Sequence, residues 1–320
     1  MSLHALKAGD FVEHATWGLG KVLFRDGDNC RIYFKAKPSA VPEDRTAEFA
    51  ISSDKLKSVD IHPDVELDNL PPWCDGRFLR YSTPETFEKA KQRFLGEFSK
   101  GFDDPLYWER ERRYKLAAHE RYRKLFAKQA RGWLDAGDCE AVVDGLDAVY
   151  GDRRAAVDSP EARLNLMYAR VEEPAFFEAL RQAPDLTLTY AKTALDFIDN
   201  PTEPSFEVFR RALESLPTRP GGAELGHWTT LTWLPFVGSP SDHILVKPTI
   251  TQTFASITAF DIQYRPSLNF ETYRRAVALG KQVRGALEAS ELNIRQRTLD
   301  MIDVQSFMWV VLRYREPTLG

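Results

Sequence analysis

Six cations raise the first chemical question. Arg110, Arg113, Arg121, Lys124, Lys128 and Arg131 are separated by three, eight, three, four and three residues. That spacing gathers them near one face of a helix running from residue 106 to 134. Arg112, Lys115 and Arg123 widen the face. A row of guanidinium and ammonium groups binds phosphates by releasing counterions, so nucleic-acid contact is one reading. Residues 80–131 hold fourteen Lys and Arg against eight Asp and Glu, whereas residues 132–200 hold six against fourteen. Two other readings therefore stay open. The stripe pairs with the acidic helices that follow, or it is a solvated face whose ion pairs each contribute little.

A second group is the run from His243 to Phe254. Lys247 ends an apolar segment, and Thr249 and Thr251 follow it. Hydroxyls and backbone N–H groups at a helix start hold anions; threonines at such a start also simply cap it. The six histidines, at 4, 14, 62, 119, 227 and 243, form no His-x-x-x-His or His-Glu-x-x-His pair, so no zinc site is expected. Asp242 with Lys247, and Asp261 with Gln263, amount to a metal-dependent nuclease pattern only where a fold makes the acids converge. Neither a Gly-x-Ser-x-Gly elbow nor a phosphate loop is present. No cofactor, metal or catalytic residue is expected.

The elements that position these groups follow from the chain's punctuation. Ser82-Thr83-Pro84-Glu85 reads as a helix start, with Thr83 as cap and Pro84 in the first turn. Asp103-Asp104-Pro105 starts the long helix. Shorter helices are expected over 139–150, 160–171, 174–182, 188–198 and 206–216. Pro217-Thr-Arg-Pro-Gly-Gly222 is the next break. Beyond it, 230–237, 243–246 and 260–264 read as strands, and helices close the chain over 269–289 and 298–314. The last helix carries an apolar face of Met301, Val304, Met308 and Val311. Pro63, Pro71 and Pro72 among acids mark 61–82 as a linker.

The N-terminus reads differently. Residues 9–22 are Gly-Asp-Phe-Val-Glu-His-Ala-Thr-Trp-Gly-Leu-Gly-Lys-Val, two apolar runs joined by a glycine-bearing turn, which is a hairpin signal. Asn29–Phe34, residues 45–51 and Leu56–Val59 supply further strands. The Gly-Asp…His…Gly-x-Gly frame resembles the small Tudor-like or SH3-like barrels of CarD-like transcription regulators and of the C-terminal tail of some bacterial repair helicases. The match covers residues 6–60, and the insertion 35–44, with Pro38 and Pro42, departs from it. The resemblance implies a five-stranded barrel with Phe11, Val22, Ile32 and Phe34 largely buried. It also implies docking on a protein such as RNA polymerase or repair machinery, through His14, Trp17, Lys21 and Arg31. Packing of the module itself is the other use for His14 and Trp17.

Composition sets the frame. Of 320 residues, 43% are hydrophobic and 12% aromatic, which suits a globular chain of two or three domains. The net charge of −4 confines any attraction for nucleic acid to local patches. Cys30, Cys74 and Cys139 lie far apart and odd in number, as reduced thiols in a cytoplasm do. No run approaches the roughly 20 apolar residues that cross a bilayer, and the N-terminus lacks a signal-peptide core, so no membrane partner is expected. The expected fold is α+β: a barrel (1–60), a linker (61–82), a helical domain (83–216) and a mixed α/β section packed on the helices (217–320). The expected function is a non-enzymatic, bacterial, cytoplasmic adaptor docking on a protein through the barrel, with nucleic-acid contact by the helical domain. The alternative is a nucleic-acid-processing enzyme recruited by the barrel.

Overall fold

A computed structural model describes residues 6, 10–26, 28–59, 67, 70, 73–74, 77–78, 86–151, 166–167, 172–218 and 225–314. The chain divides into two compact units, Met1–Ser82 and Thr83–Gly320. The first is built on an antiparallel β-sheet, and the second is helical.

Five strands form the sheet: β1 (Phe11–His14), β2 (Gly18–Asp26), β3 (Asn29–Phe34), β4 (Thr46–Ala50) and β5 (Leu56–Val59). Their order is β4-β3-β2-β1-β5. Val12 pairs with Gly20, Val22 with Ile32, and Ile32 with Ala47. A bulge between Val22 and Phe24 shifts the β2–β3 register. The Gly-x-Gly motif has a steric basis. Gly18 turns at φ +65°, and a Cβ on Gly20 would lie 2.5 Å from the Phe34 ring and 2.8 Å from the Tyr33 carbonyl.

The expected barrel is not there. Closure would pair the two outer strands, and β4 and β5 are not paired with each other, so the sheet is open. After β4 the Ile51 N–H donates to the Asp28 carbonyl at 2.8 Å. That bond ties the chain back to the β2–β3 turn before it crosses to the far side of β1. With the barrel goes the resemblance to CarD-like and helicase-tail modules. One face packs Val12, Val22, Ile32, Phe34, Ile51 and Leu56; Tyr33, Leu67 and, half-buried, Phe11 lie in a second cluster. Val22, Ile32 and Phe34 are thus buried as expected, while Phe11 is half-buried and outside their cluster. A short hairpin, β6 (Trp73–Cys74) and β7 (Arg77–Phe78), also belongs to this unit and falls within the stretch read as linker.

The second unit has ten helices among its described residues. They are α1 (Phe87–Glu97), the long α2 (Pro105 to Ala136), α3 (Cys139–Tyr150), α4 (Glu172–Gln182), α5 (Pro184–Asp199), α6 (Glu203–Glu214), α7 (Trp228–Gly238), α8 (Pro248–Ile257), α9 (Phe270–Glu288) and α10 (Met301–Arg313). Thr83 and Pro84 lie outside the described residues; α1 is capped by Thr86, which accepts from Lys89 N–H. The helix expected over 160–171 falls almost wholly outside them too. Asp104 caps α2 as its Asp-Pro signature implies, accepting from Leu106 N–H at 2.9 Å. Two π segments, Trp108–Arg112 and Tyr122–Phe126, interrupt α2. Each rotates the residues that follow it relative to a uniform α-helix.

The mixed α/β section is also corrected: residues 225–314 contain no strand. Thr230–Val237 belongs to α7, whose residues 228–237 are all buried. A helix buried on every side shows the same unbroken apolar run as a buried strand. Val246 N–H bonds to the Thr232 hydroxyl at 2.9 Å instead of a neighbouring strand. In 260–264, Gln263 has φ +43°, which breaks an extended run. One core, from Ala90 to Leu312, unites all the helices.

Candidate functional site

The sheet residues singled out by sequence are engaged within their own unit. His14 is buried, and its Nδ1 accepts from the N–H groups of Thr16 and Trp17 at 3.1 and 3.2 Å. Its ring stacks on Trp17 at 4.6 Å, and Trp17 packs against Phe34 and Phe49. Lys37, in the Pro-bearing insertion, places its ammonium 5.1 Å from the Trp17 ring centre and donates to the Thr46 carbonyl. Lys21 donates to the Leu67 carbonyl at 2.8 Å. Arg31 pairs across strands with Glu48 at 2.9 Å.

The six stripe cations all lie on α2. Arg110, Arg113, Lys124, Lys128 and Arg131 are exposed. Arg113 pairs with Glu109, Lys124 with Glu120 at 2.9 Å, and Arg131 with Asp199 at 2.7 Å. Arg121 turns inward and donates to the Val149 and Tyr150 carbonyls, capping the end of α3. The stripe is thus interleaved with carboxylates, and one member is spent on helix capping.

Inside α2 the charges are buried and matched. Lys115 bonds Glu111 at 2.8 Å and the Ser306 hydroxyl at 2.7 Å. Burial pulls the Lys115 ammonium below its ordinary value despite Glu111. Asp303 accepts from both arms of Arg297, from Tyr107 at 2.6 Å and from Arg112 at 2.8 Å. Burial raises the affinity of the Asp303 carboxyl for its proton; Arg297 and Arg112 outweigh that and hold it below the usual range. These contacts bind α10 to α2.

The anion candidates lie near this network. Lys247 is the N-cap of α8, and its Nζ is 5.0 Å from the Trp309 ring centre. Burial lowers Lys247 to about 7, with Glu172 and Glu111 pulling it up and Lys115 and Arg313 pushing it down. Thr249 is half-buried and Thr251 buried, its N–H bonded to the Lys247 carbonyl.

A cleft of about 450 Å³ opens elsewhere in the helical unit. Its apolar lining includes Ile198, Phe270, Tyr273 and Val277, and its charges are Asp199, Asp242, Arg274 and Lys281. Beneath it, buried His243 accepts the Tyr273 hydroxyl proton at Nδ1 (2.5 Å) and donates from Nε2 to the Ile198 carbonyl (3.3 Å). Burial lowers the His243 pKa and favours this neutral tautomer. Asp242 is held by the Ser241 and Ser239 hydroxyls at 2.6 and 2.8 Å, which lower its pKa. Sequence reasoning weighed Asp242 only as a nuclease acid and missed the cleft. Among the described residues, no group of three or more His, Cys, Asp or Glu is placed to hold a metal ion, and no helix is long and apolar enough to cross a membrane.

Compared with protein-family models, with characterised proteins and with solved structures, the chain matches none.

Proposed function

We propose that the chain is a non-enzymatic docking adaptor and that the cleft between α5 and α9 receives a segment of a protein partner. The observation that carries this reading is the lining: apolar side chains with charged groups of both signs, on helices α5 and α9 and the loop after α7, in a volume suited to a few side chains. The charges select the occupant. Asp199 is paired with Arg131, and Asp242 is held by two serines. Arg274 shares Glu271, and Lys281 is exposed. The segment that complements this cleft carries an apolar side chain for the Phe270–Val277 surface and a neighbouring carboxylate for Lys281. With the barrel absent, the N-terminal resemblance supplies no support for a transcription or repair partner.

The test is selection of a displayed library of random twelve-residue peptides against the full chain. An acidic residue next to an apolar one is the expected consensus. Lys281→Glu should shift the selected charge from acidic to basic, and Ala278→Trp, which fills the cleft, should weaken binding at least tenfold. A consensus indifferent to both substitutions, or no consensus at all, sinks the reading.

A further inference from the structure

The cleft has two helical walls. Ile198 and Asp199 end α5 on one side, and Phe270, Tyr273 and Val277 belong to α9 on the other. Asp242, in the loop after α7, lines it too. The next residue, His243, is 0% exposed and bonds to both walls. The Tyr273 hydroxyl lies 2.5 Å from its Nδ1, and the Ile198 carbonyl lies 3.3 Å from its Nε2. A carbonyl only accepts, so Nε2 carries the proton of the neutral ring and Nδ1 accepts from Tyr273. Among the described residues the Tyr273 hydroxyl has no other hydrogen-bond partner. The surroundings offer an imidazolium little. The Phe197 ring of α5 is 5.4 Å away. The charges felt at His243 are Asp242 on its own loop and Lys281 on α9, and they are opposite in sign. The Asp242 carboxylate is already held by Ser239 and Ser241. A second ring proton would sit on Nδ1 and face the Tyr273 hydroxyl, whose own hydrogen then loses its acceptor. A buried cation and a buried donor without a partner both call for water. Water reaches this ring only if the walls part.

We infer that His243 is the strut that holds the two walls of the cleft together, and that its protonation parts them and releases the bound segment. Release rests on the docking reading; the parting of the walls does not. Burial keeps the proton affinity of the ring below its ordinary 6.5. A form that wets the ring takes up the proton at a higher pH than the closed form does, so acid favours the open form. Asp242 is held below its usual range and stays charged throughout.

The walls are read by the distance between spin labels at Asp196→Cys on α5 and Arg274→Cys on α9. The full chain is used, with Cys30→Ser, Cys74→Ser and Cys139→Ser. From pH 7.5 to 4.5 the distance should lengthen by about 3 Å, the depth of one water layer. The change should run in step with the nitrogen shifts that report protonation of His243. His243→Phe, which fills the place of the ring and does not titrate, should give one distance at every pH. Peptides selected at pH 7.5 should bind about tenfold more weakly one pH unit below the midpoint, where about a tenth of the chains stay closed. In His243→Phe their affinity should show no such loss with pH. The inference is overturned if the distance stays constant while His243 protonates, or if the chain unfolds before His243 protonates. It is also overturned if His243→Phe lengthens with acid as the wild type does. Should His243→Phe not fold, the first two outcomes are read on the wild type alone and still decide. If the walls part and no peptide binds at pH 7.5, the docking reading fails and the strut stands. If peptides bind and the walls do not part, the strut fails and the docking reading stands.

Discussion

Glu109–Arg113 and Glu111–Lys115 are two acid–base pairs on one helix, each four residues apart and offset by only two positions. The first has side chains 53% and 64% exposed; the second has 4% and 0%. Both obey the same spacing rule for stabilising helix pairs. Their energetic meaning is opposite. The outer pair sits in water that already solvates its charges. The inner pair was stripped of water and depends on its geometry and on Ser306 and Tyr314 for compensation. The π segment Trp108–Arg112 lies where the two pairs begin and sets which carboxylate faces α10.

The comparison breaks most visibly at Lys115. Lys115→Met removes one buried charge and leaves Glu111 facing the core, which should cost about 3–5 kcal/mol in urea unfolding. Glu111→Leu with Lys115→Met should recover most of that loss, since apolar replacement of a whole buried pair is often neutral. If the single variant costs under about 1 kcal/mol, the inner pair is solvated after all.

Asp303→Asn comes next, at about 2–3 kcal/mol. The loss is smaller because Arg112 keeps Asp300 and because Arg297 is 28% exposed and able to rehydrate. The variant also has a pH signature. The Asp303 carboxyl is held below its ordinary range, so its contribution is complete above an unfolded value near 3.9 and is lost as pH falls through the folded value. Asp303→Asn should flatten the stability curve below about pH 4 and leave its shape at pH 6–8 unchanged.

Local signals were legible in the sequence wherever one residue's chemistry decides the backbone. Asp104-Pro105 predicted the start of α2, and Gly18 with Gly20 predicted the first hairpin. What followed from long-range contacts was not legible. Strand count cannot show whether β4 and β5 meet, so an open sheet and a barrel share one pattern of runs. The apolar run of α7 fits a strand equally well. Lys115 looked like another member of the basic stripe, because nothing local announces that Ser306, far along the chain, will accept a hydrogen bond from it. The cleft draws on residues near 198, 242 and 270–281, and its shape exists only after folding. One weak signal went unread: Asp303, Gln305 and Ser306 interrupt an otherwise apolar helix, as polar groups with buried work do.

Lys247 sharpens the comparison from the other side: like Lys115 it is pulled below its ordinary value chiefly by burial, but it has no carboxylate four residues away on its own helix. Its folded value of about 7 lies below the ordinary 10.5, and burial is the main cause. Between those values the unfolded chain holds a proton that the folded chain has released, so stability rises with pH there. The slope is at most about 1.4 kcal/mol per pH unit, less what solvent screens at a partly exposed group. Glu172 and Glu111 oppose the shift, while Lys115 and Arg313 reinforce it. Lys247→Met should flatten urea-unfolding stability between pH 7 and 10. An unchanged slope means that another group titrates there.

The smallest effect is expected at the outer pair. Arg113→Ala and Glu109→Ala should each change stability by no more than about 0.5 kcal/mol, and the coupling in a double-mutant cycle should fall within the same bound. Whatever coupling exists should fade as salt is raised from 0.05 to 0.5 M, because exposed charges are screened over a Debye length of roughly 10 Å at 0.1 M. The Lys115–Glu111 coupling should survive that range, since ions do not reach it. Salt therefore separates the two pairs even if their absolute costs are misjudged. A salt-insensitive outer pair would mean that Arg113 is held by more than Glu109, and α2 would then present a fixed charged surface to a partner.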